Sequence, residues 1–187
     1  MRHYQISELV KEVLFTKEEI QLRIAELAKE IEADYKGKDV VFLSVLKGSI
    51  MIMTDLTRCI STPYIELEFV QLETYHGGLA STGEVEVVTE LKSDITGKEL
   101  IIVEDILDSG ITLEKLCEIL AKKNPKSIEI LAFLRKPMNV KVDIVPKYIG
   151  FDVDDKFLVG YGLDVDQKFR NLEDVVVFNP DALKQYE

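Results

Sequence analysis

Three short apolar runs, separated by stretches with helical spacing, place the strongest constraint on the fold of this chain. The runs cover residues 40–45, 100–103 and 128–133, and each is typical of a strand buried on both faces. Residues 49–59 follow the first run as a helical stretch, and residues 113–121 follow the second until Asn124 and Pro125. This alternation predicts an α/β, Rossmann-like fold with a central, mostly parallel sheet and flanking helices.

The other segments add one helix and two features outside this alternation. Thr16 and Glu19 have the spacing of a capping box, and apolar residues then recur at helical spacing towards Gly37, which predicts an amphipathic helix. Two β-rich runs within 66–90 flank a stretch rich in Gly, Ser and Thr, so we expect a β-hairpin with a flexible loop. Residues 142–178 mix short β-type runs with glycines and predict a small irregular lobe.

Length and composition narrow the class of protein. The 187 residues suit a single domain over residues 1–187, with a core at about 38–140 and a C-terminal lobe, or hood, at about 141–187. The net charge of −11 disfavours a nucleic-acid partner. No apolar run is long enough to cross a bilayer, and the N-terminus lacks the apolar stretch of a secretory signal, so we expect no membrane association and a cytoplasmic location. Cys59 and Cys117 are expected to be free, buried thiols.

Residues 99–113 carry the clearest functional signal. An apolar strand runs into the acids Glu104, Asp105 and Asp108, and a short loop leads from them into a helix. In an open parallel sheet, ligands bind beyond the carboxyl ends of the strands, so we expect Glu104 and Asp105 to face a substrate. Two carboxylates at this place suit sugar hydroxyls or a hydrated magnesium ion.

The loop after these acids has the composition of a phosphate site. Asp108, Ser109, Gly110, Ile111 and Thr112 come directly before the predicted helix. Their backbone N–H groups and hydroxyls can converge on a phosphate at the helix N-terminus, and glycine permits a close approach. In the alternative interpretation, Asp108, Ser109 and Thr112 only cap the helix and the acids are solvated.

The sequence Val-Glu-Asp-Ile-Leu-Asp-Ser-Gly-Ile-Thr-Leu at 103–113 resembles the binding signature for phosphoribosyl pyrophosphate (PRPP) of the type I phosphoribosyltransferases. Its Glu-Asp-Ile-Leu-Asp form is similar to the hypoxanthine-guanine (6-oxopurine) branch, and further motifs follow the family's order from about residue 40 to residue 178. The resemblance implies a purine salvage enzyme that joins hypoxanthine or guanine to the 5-phosphoribosyl group of PRPP. The products would be IMP or GMP and pyrophosphate. The resemblance also implies that Mg2+ is the essential metal and that the protein forms a homodimer or a homotetramer.

The same resemblance implies roles for individual residues. The matching positions are Lys47, Gly48 and Arg170 for pyrophosphate, Thr74 and Tyr75 for the flexible loop, Lys136, Phe157, Leu158 and Asp164 for the purine, and Glu104, Asp105 and Asp164 for the metal. Asp108 matches the aspartate that transfers a proton at purine N7. The peptide bond before Lys47 is often cis in the family, and Arg135 stands where many bacterial relatives carry an acid. The sequence does not rank hypoxanthine, guanine and xanthine.

Three other classes of protein fit parts of this sequence less well. A regulator with the same fold would sense PRPP or nucleotide while binding nucleic acid, which the acidic balance disfavours. A phosphorelay receiver domain also has an acidic pair after a strand, but here that strand comes too late in the chain to leave room for the rest of the domain. A hydrolase triad is poorly supported because the only histidines are His3 and His76.

Overall fold

The computed structural model describes residues 8–63, 65–74, 85–87 and 91–179. These residues form a six-stranded sheet, a separate three-stranded sheet and three helices. In chain order the elements are β1 (Val10–Phe15), α1 (Lys17–Asp34), β2 (Val40–Leu46), α2 (Ile50–Cys59), β3 (Ile65–Thr74), β4 (Val85–Val87), β5 (Glu99–Leu107), α3 (Ile111–Ala121), β6 (Ser127–Arg135), β7 (Tyr148–Asp152), β8 (Leu158–Val159) and β9 (Val175–Phe178).

The larger sheet has the strand order β4-β3-β2-β5-β6-β7. Five strands run parallel to one another, namely β3, β2, β5, β6 and β7, and β4 pairs antiparallel with β3 at the edge. Val40 at the start of β2 is in register with Ile65 of β3 and Glu99 of β5, so these strands begin at the same edge and end at the same edge. The prediction of a mostly parallel sheet is confirmed.

The core is divided between the two faces of this sheet. Phe42 packs in one buried cluster with residues of α1 and α2, while its neighbours Val41 and Leu43 pack in another cluster with residues of α3. This division follows from the alternation of side chains along a strand. Apolar residues on both faces therefore explain why the strands appear as continuous apolar runs.

The capping box at the start of α1 is present as predicted. The Thr16 hydroxyl accepts from the Glu19 backbone N–H at 3.3 Å, and the Glu19 carboxylate accepts from the Thr16 backbone N–H at 2.8 Å. The apolar stripe of α1 is buried, and the helix ends before Gly37, whose φ is +73°. The capping box therefore fixes the start of this helix, while its C-cap is Tyr35, before the glycine that the sequence suggested as its end.

The C-terminal region differs from the expected irregular lobe in one respect. β7 lies beside β6 as the edge strand of the larger sheet, so the core continues to about residue 152. The smaller sheet has the order β1-β9-β8 and is antiparallel, and its first strand comes from the N-terminal part of the chain. The hood is therefore this smaller sheet together with the loops of residues 153–174, and the word is used in this sense below. No local pattern predicted β1, in which four residues are half-buried and two are exposed.

Three smaller expectations concern the hairpin, the two cysteines and membrane-spanning helices. β3 and β4 pair antiparallel at their ends, as in the expected hairpin, but residues 75–84 between them lie outside the described residues. Cys59 and Cys117 are both free, as expected, but Cys59 is exposed and Cys117 is only half-buried, so the expectation of burial was wrong for Cys59. Within the described parts of the chain, none of the helices has the length and apolar character needed to span a membrane.

Candidate functional site

The predicted acids lie at the carboxyl edge of the larger sheet. β5 continues through Leu107, so Glu104 and Asp105 are part of the strand rather than of the loop after it. Adjacent residues of a strand point to opposite faces. Glu104 lines a cavity with the loop before α3, while Asp105 lies against Gly48 after β2. The two carboxyl groups therefore point to opposite faces at the carboxyl edge of the sheet, and we call this edge, with the loop at Gly48 and the loop before α3, the crevice.

Burial makes both carboxyl groups resist ionisation. Burial, and then the nearby charge of Asp105, raise the pKa of Glu104 well above its ordinary value. The Oε2 atom of Glu104 is buried without a hydrogen-bond partner. Burial raises the pKa of Asp105 to about 6, although the Ile106 backbone N–H donates to its Oδ1 at 2.8 Å and the charge of Arg170 opposes the shift. Such groups favour a ligand that supplies hydroxyl donors or positive charge.

The loop between β5 and α3, at which we expect a phosphate cradle, lines a small cavity. α3 begins at Ile111, and Gly110 precedes it with a φ of +81°, a conformation that favours glycine. A cavity of about 190 Å³ is lined by residues of this loop, including Asp108, Ser109 and Thr112. No side chain caps α3, so the alternative in which these residues serve only as helix caps was wrong. The N–H groups of the first turn remain available to an anion.

Asp108 and Lys136 form an ion pair beside this cradle. The Lys136 ammonium lies 3.1 Å from Oδ2 of Asp108 and 2.8 Å from Oδ1 of Asp155. Burial lowers the pKa of Lys136, but its hydrogen bonds to Asp155 and Asp108 outweigh this effect, and the pKa is raised. The Asn139 side-chain amide donates to Oδ1 of Asp108 at 2.9 Å. Lys136 is therefore charged, and each oxygen of Asp108 has a donor.

Gly48 lies between the sheet edge and the hood. A Cβ atom at Gly48 would lie 1.5 Å from Oδ2 of Asp105, and a Cβ atom at Gly162 would lie 1.9 Å from the carbonyl oxygen of Gly48. Gly162 also has a φ of +100°. Only glycine fits these two positions, and its absence of a side chain lets the three segments meet. The peptide bond between Leu46 and Lys47, which directly precedes this contact, is cis.

The predicted hood residues Asp164 and Arg170 form a second ion pair. The Arg170 Nη2 atom lies 2.7 Å from Oδ1 of Asp164, and its Nη1 atom donates to the Gly162 carbonyl at 2.7 Å. The Nε atom of Arg170 is buried without a partner. Lys47 donates to the side-chain oxygen of Gln167 at 3.0 Å. The structure thus brings together the cations Lys47 and Arg170, as expected for an anionic ligand.

The two predicted purine contacts at the start of β8 differ in burial. Phe157 is 52% exposed, and its ring centroid lies 5.6 Å from that of Phe178. Leu158 is buried in β8. An exposed aromatic ring that packs on one side only is able to stack on a planar heterocycle with its other side.

Two predicted residues and one cavity lie outside this arrangement. Thr74 ends β3 in register with Val85 of β4, and Tyr75 lies outside the described residues.

A cavity of about 620 Å³ is found at the opposite edge of the sheet, near the end of α1 and the starts of β2 and β3. None of the predicted site residues lines this larger cavity. The sheet topology therefore favours the crevice at the carboxyl edge as the candidate site.

Three polar residues of the site were missed in the sequence. Asn139 and Asp155 contact the Asp108–Lys136 pair, and Gln167 contacts Lys47. Asn139 follows Lys136 in a short turn, but no local pattern indicates that its side chain reaches back to the end of β5. Asp155 lies in an acidic stretch that is typical of a solvated loop.

Comparison with known proteins agrees with this geometry. Residues 12–166 match the family model described as phosphoribosyl transferase domain. This chain belongs to the phosphoribosyltransferase family. It is 42% identical over 173 residues to a hypoxanthine-guanine phosphoribosyltransferase of Staphylococcus aureus (strain Mu50 / ATCC 700699), an alignment that covers 92% of this chain and 96% of that protein.

Other phosphoribosyltransferases give the same result. The Mycobacterium tuberculosis (strain CDC 1551 / Oshkosh) hypoxanthine-guanine phosphoribosyltransferase is 40% identical over 177 residues, which cover 91% of this chain and 87% of that protein. A crystal structure of a hypoxanthine phosphoribosyltransferase from Staphylococcus aureus superposes with a TM-score of 0.91 at 40% identity, covering 97% of this chain and 98% of that chain. The fold is that of the type I phosphoribosyltransferases.

Proposed function

We propose that this protein transfers the 5-phosphoribosyl group of PRPP to hypoxanthine or guanine, giving IMP or GMP and pyrophosphate. The observation that carries the proposal is the Asp108–Lys136 ion pair, at 3.1 Å, directly beside the phosphate cradle of α3. This arrangement unites a carboxylate that can accept a proton with a cation that can stabilise an oxyanion. A 6-oxopurine that attacks through a ring nitrogen needs both groups.

The cradle before α3 is the proposed site of the ribose 5-phosphate. The N–H groups of the first turn, with Ser109, Gly110, Ile111 and Thr112, would hold the phosphate against the helix N-terminus. Glu104 lines the same cavity. With Asp105, it would bind the ribose hydroxyls, and the carboxylates would favour positive charge at ribose C1 as its bond to pyrophosphate breaks.

Lys47, the backbone at Gly48 and Arg170 are the proposed contacts of pyrophosphate. The two side chains already share one acceptor, since Oε1 of Gln167 accepts from Lys47 at 3.0 Å and from Arg170 at 3.4 Å. A guanidinium fork can donate two parallel hydrogen bonds to an oxygen-rich anion. Cations at this place would stabilise the negative charge that gathers on the departing pyrophosphate.

The purine would lie between Phe157 and Lys136. Phe157 would stack on the ring, the backbone at Leu158 and the segment near Asp164 would contact its edge, and Lys136 would stabilise charge on the 6-oxygen. Asp108 would accept the proton from N7 as the purine nitrogen forms its bond to C1. Thr74 and Tyr75 remain the proposed members of a loop that closes over the reacting atoms.

The acids of the crevice fit Mg2+ as a partner of the substrate. Among the residues that the structure describes, no group of three or more His, Cys, Asp or Glu side chains could hold a metal by itself. Oxygen donors are nevertheless present, and the unpartnered Oε2 of Glu104 suits a hydrated cation. Mg2+ bound with PRPP would neutralise charge on the pyrophosphate. Glu104, Asp105 and Asp164 are the residues that we propose to hold it, directly or through water.

The remaining expectations are proposals of the same kind. We propose a single domain over residues 1–187, a cytoplasmic location, no nucleic-acid partner, and a homodimer or homotetramer. The core of that domain extends to about residue 152 because β7 belongs to the larger sheet. The effect of Arg135 is expected to be local, since its guanidinium binds both oxygens of Asp152 at 2.7 and 2.9 Å.

A turnover assay with PRPP and each of hypoxanthine, guanine and xanthine tests the function. We expect nucleotide formation with hypoxanthine or guanine that requires Mg2+. Asp108→Asn should lower kcat by about 100-fold or more, since general acid-base groups contribute at least this factor. Asp143→Asn, the same change at an exposed position outside the site, is the matched control. Folded protein that binds PRPP but turns over none of the bases would refute the proposal, and retention of RNA would then favour a regulator.

A further inference from the structure

Asn139 stands out because it contacts the proposed proton acceptor although it matches none of the motifs in the sequence. Its side-chain Nδ2 atom donates to Oδ1 of Asp108 at 2.9 Å. The Lys136 ammonium contacts the other oxygen of Asp108, Oδ2, at 3.1 Å. The Asp108 side chain is 48% exposed, so packing alone does not fix the plane of its carboxylate. Two donors on its two oxygens do fix that plane.

The backbone around Asn139 is held independently of its side chain. The Lys136 N–H donates to the Leu107 carbonyl and the Lys141 N–H donates to the Ser109 carbonyl, both at 2.9 Å. These two bonds lie on either side of Asp108. The Asn139 N–H closes the turn by donating to the Lys136 carbonyl at 3.0 Å. The turn of residues 136–141 therefore stays attached to the end of β5 when the Asn139 side chain is changed.

Lys136 links Asp108 to a second carboxylate. Its ammonium lies 3.1 Å from Oδ2 of Asp108 and 2.8 Å from Oδ1 of Asp155, so two carboxylates share one cation. The hydrogen bond from Lys136 lowers the pKa of Asp155. The Asn139 amide gives Asp108 a second donor without adding charge, whereas a second cation would compete with Lys136 for the two carboxylates.

We infer that Asn139 is a positioning residue that holds the Asp108 carboxylate in the orientation required for proton transfer at the purine. The inference rests on the function proposed above. Without the amide, the carboxylate is free to rotate about its terminal bond, and its oxygens face the purine for a smaller fraction of the time. Loss of orientation lowers the rate of the chemical step more than the binding of PRPP, whose phosphate would be held by the backbone N–H groups and hydroxyls of residues 109–112 rather than by the Asp108 carboxylate.

The test compares Asn139→Ala and Asn139→Asp with Met138→Ala. The alanine variant removes the donor, and the aspartate variant keeps the shape but replaces the donor with a third carboxylate. Met138 lies in the same turn and is 93% exposed, so its truncation controls for changes of the turn. Steady-state kinetics with hypoxanthine and PRPP give kcat and both KM values, and thermal unfolding gives Tm.

We expect kcat to fall about tenfold in Asn139→Ala, which corresponds to about 1.4 kcal/mol in the barrier. The fall should be larger in Asn139→Asp, because the added carboxylate repels Asp108. The KM for PRPP should stay within about twofold, and Tm should match that of Met138→Ala. An unchanged kcat in both Asn139 variants would overturn the inference while the unaltered protein is active. A rise of both KM values with a fall in Tm would show a structural role and overturn it as well. No turnover by the unaltered protein would instead overturn the proposed function itself.

Discussion

Asp105→Asn is expected to stabilise the ligand-free protein at neutral pH while it impairs turnover. The carboxyl of Asp105 lies against Gly48 at the end of β5, where burial raises its pKa. Asparagine has nearly the same shape, and its side-chain oxygen can still accept from the Ile106 N–H. The substitution therefore removes a buried negative charge and leaves the local packing in place.

The size of the effect follows from the pKa of this carboxyl. A rise from 3.8 to about 6 on folding disfavours the folded state by about 3 kcal/mol at pH 7.5, where the group is ionised in both states. As pH falls through 6, the folded protein takes up the proton first, and the penalty decreases to about half at pH 5 and nearly disappears below pH 4. The stabilisation by Asp105→Asn is thus present above pH 6 and is lost as pH falls. For a chain of this length it corresponds to a rise in Tm of up to about 10 °C.

The assay is thermal or urea unfolding of metal-free protein at pH 7.5 and pH 5, for the unaltered chain, Asp105→Asn and Asp143→Asn. Asp143 is exposed in the loop before β7, and the same chemical change there should leave Tm within about 1 °C, as is usual for surface positions. A gain at pH 7.5 that shrinks at pH 5, only for Asp105→Asn, supports the reasoning. An equal gain at both pH values, or no gain at pH 7.5, would refute it. If the stabilised variant also has a lower kcat, the Asp105 charge that destabilises the folded protein is needed for function.

Three further changes test other parts of the structure. Gly162→Ala would place a Cβ atom 1.9 Å from the Gly48 carbonyl oxygen, so we expect a clear loss of both stability and activity. Gly37 has open space around it, so Gly37→Ala should reduce only the stability, by about 1 kcal/mol. Measurements of Tm and kcat for the two variants test this difference. Phe157→Ala should raise the KM for the purine by about tenfold or more, the contribution of one stacked base, with little change in Tm because the ring is half-exposed. Thr16→Ala removes the capping hydrogen bond and should reduce the free energy of unfolding by about 1 kcal/mol in urea titration, without effect on kcat.

Much of the candidate site was predictable because its chemistry is carried by contiguous residues. The strand, acids, loop and helix of residues 99–113 imply their own geometry, since a strand that runs into a helix through a short loop places its acids at the carboxyl edge of a sheet. In the structure Asp108 pairs with Lys136, and Asp164 pairs with Arg170. Their roles towards substrate remain proposals.

The contacts of Asn139 and Gln167 were not predictable from local patterns. Asn139 donates to Asp108 across 31 positions of the sequence, and Lys47 reaches Gln167 across 120 positions. A hydrogen bond between side chains depends on the placement of two backbones to within a fraction of an ångström. Neither periodicity nor composition carries that information.

The sequence by itself determined the elements and the class of fold. Continuous apolar runs specify strands that must be covered on both faces, and the capping box of Thr16 and Glu19 specifies where α1 begins. Only the tertiary structure decided that β7 joins the larger sheet and that β1 completes the hood, because short edge strands acquire their stability from a partner rather than from their own residues. Tertiary structure also decided how readily Glu104 and Asp105 ionise. Their raised pKa values arise from burial by segments distant in the chain, such as the loop at Gly48, and a residue's type alone does not reveal how much water surrounds it.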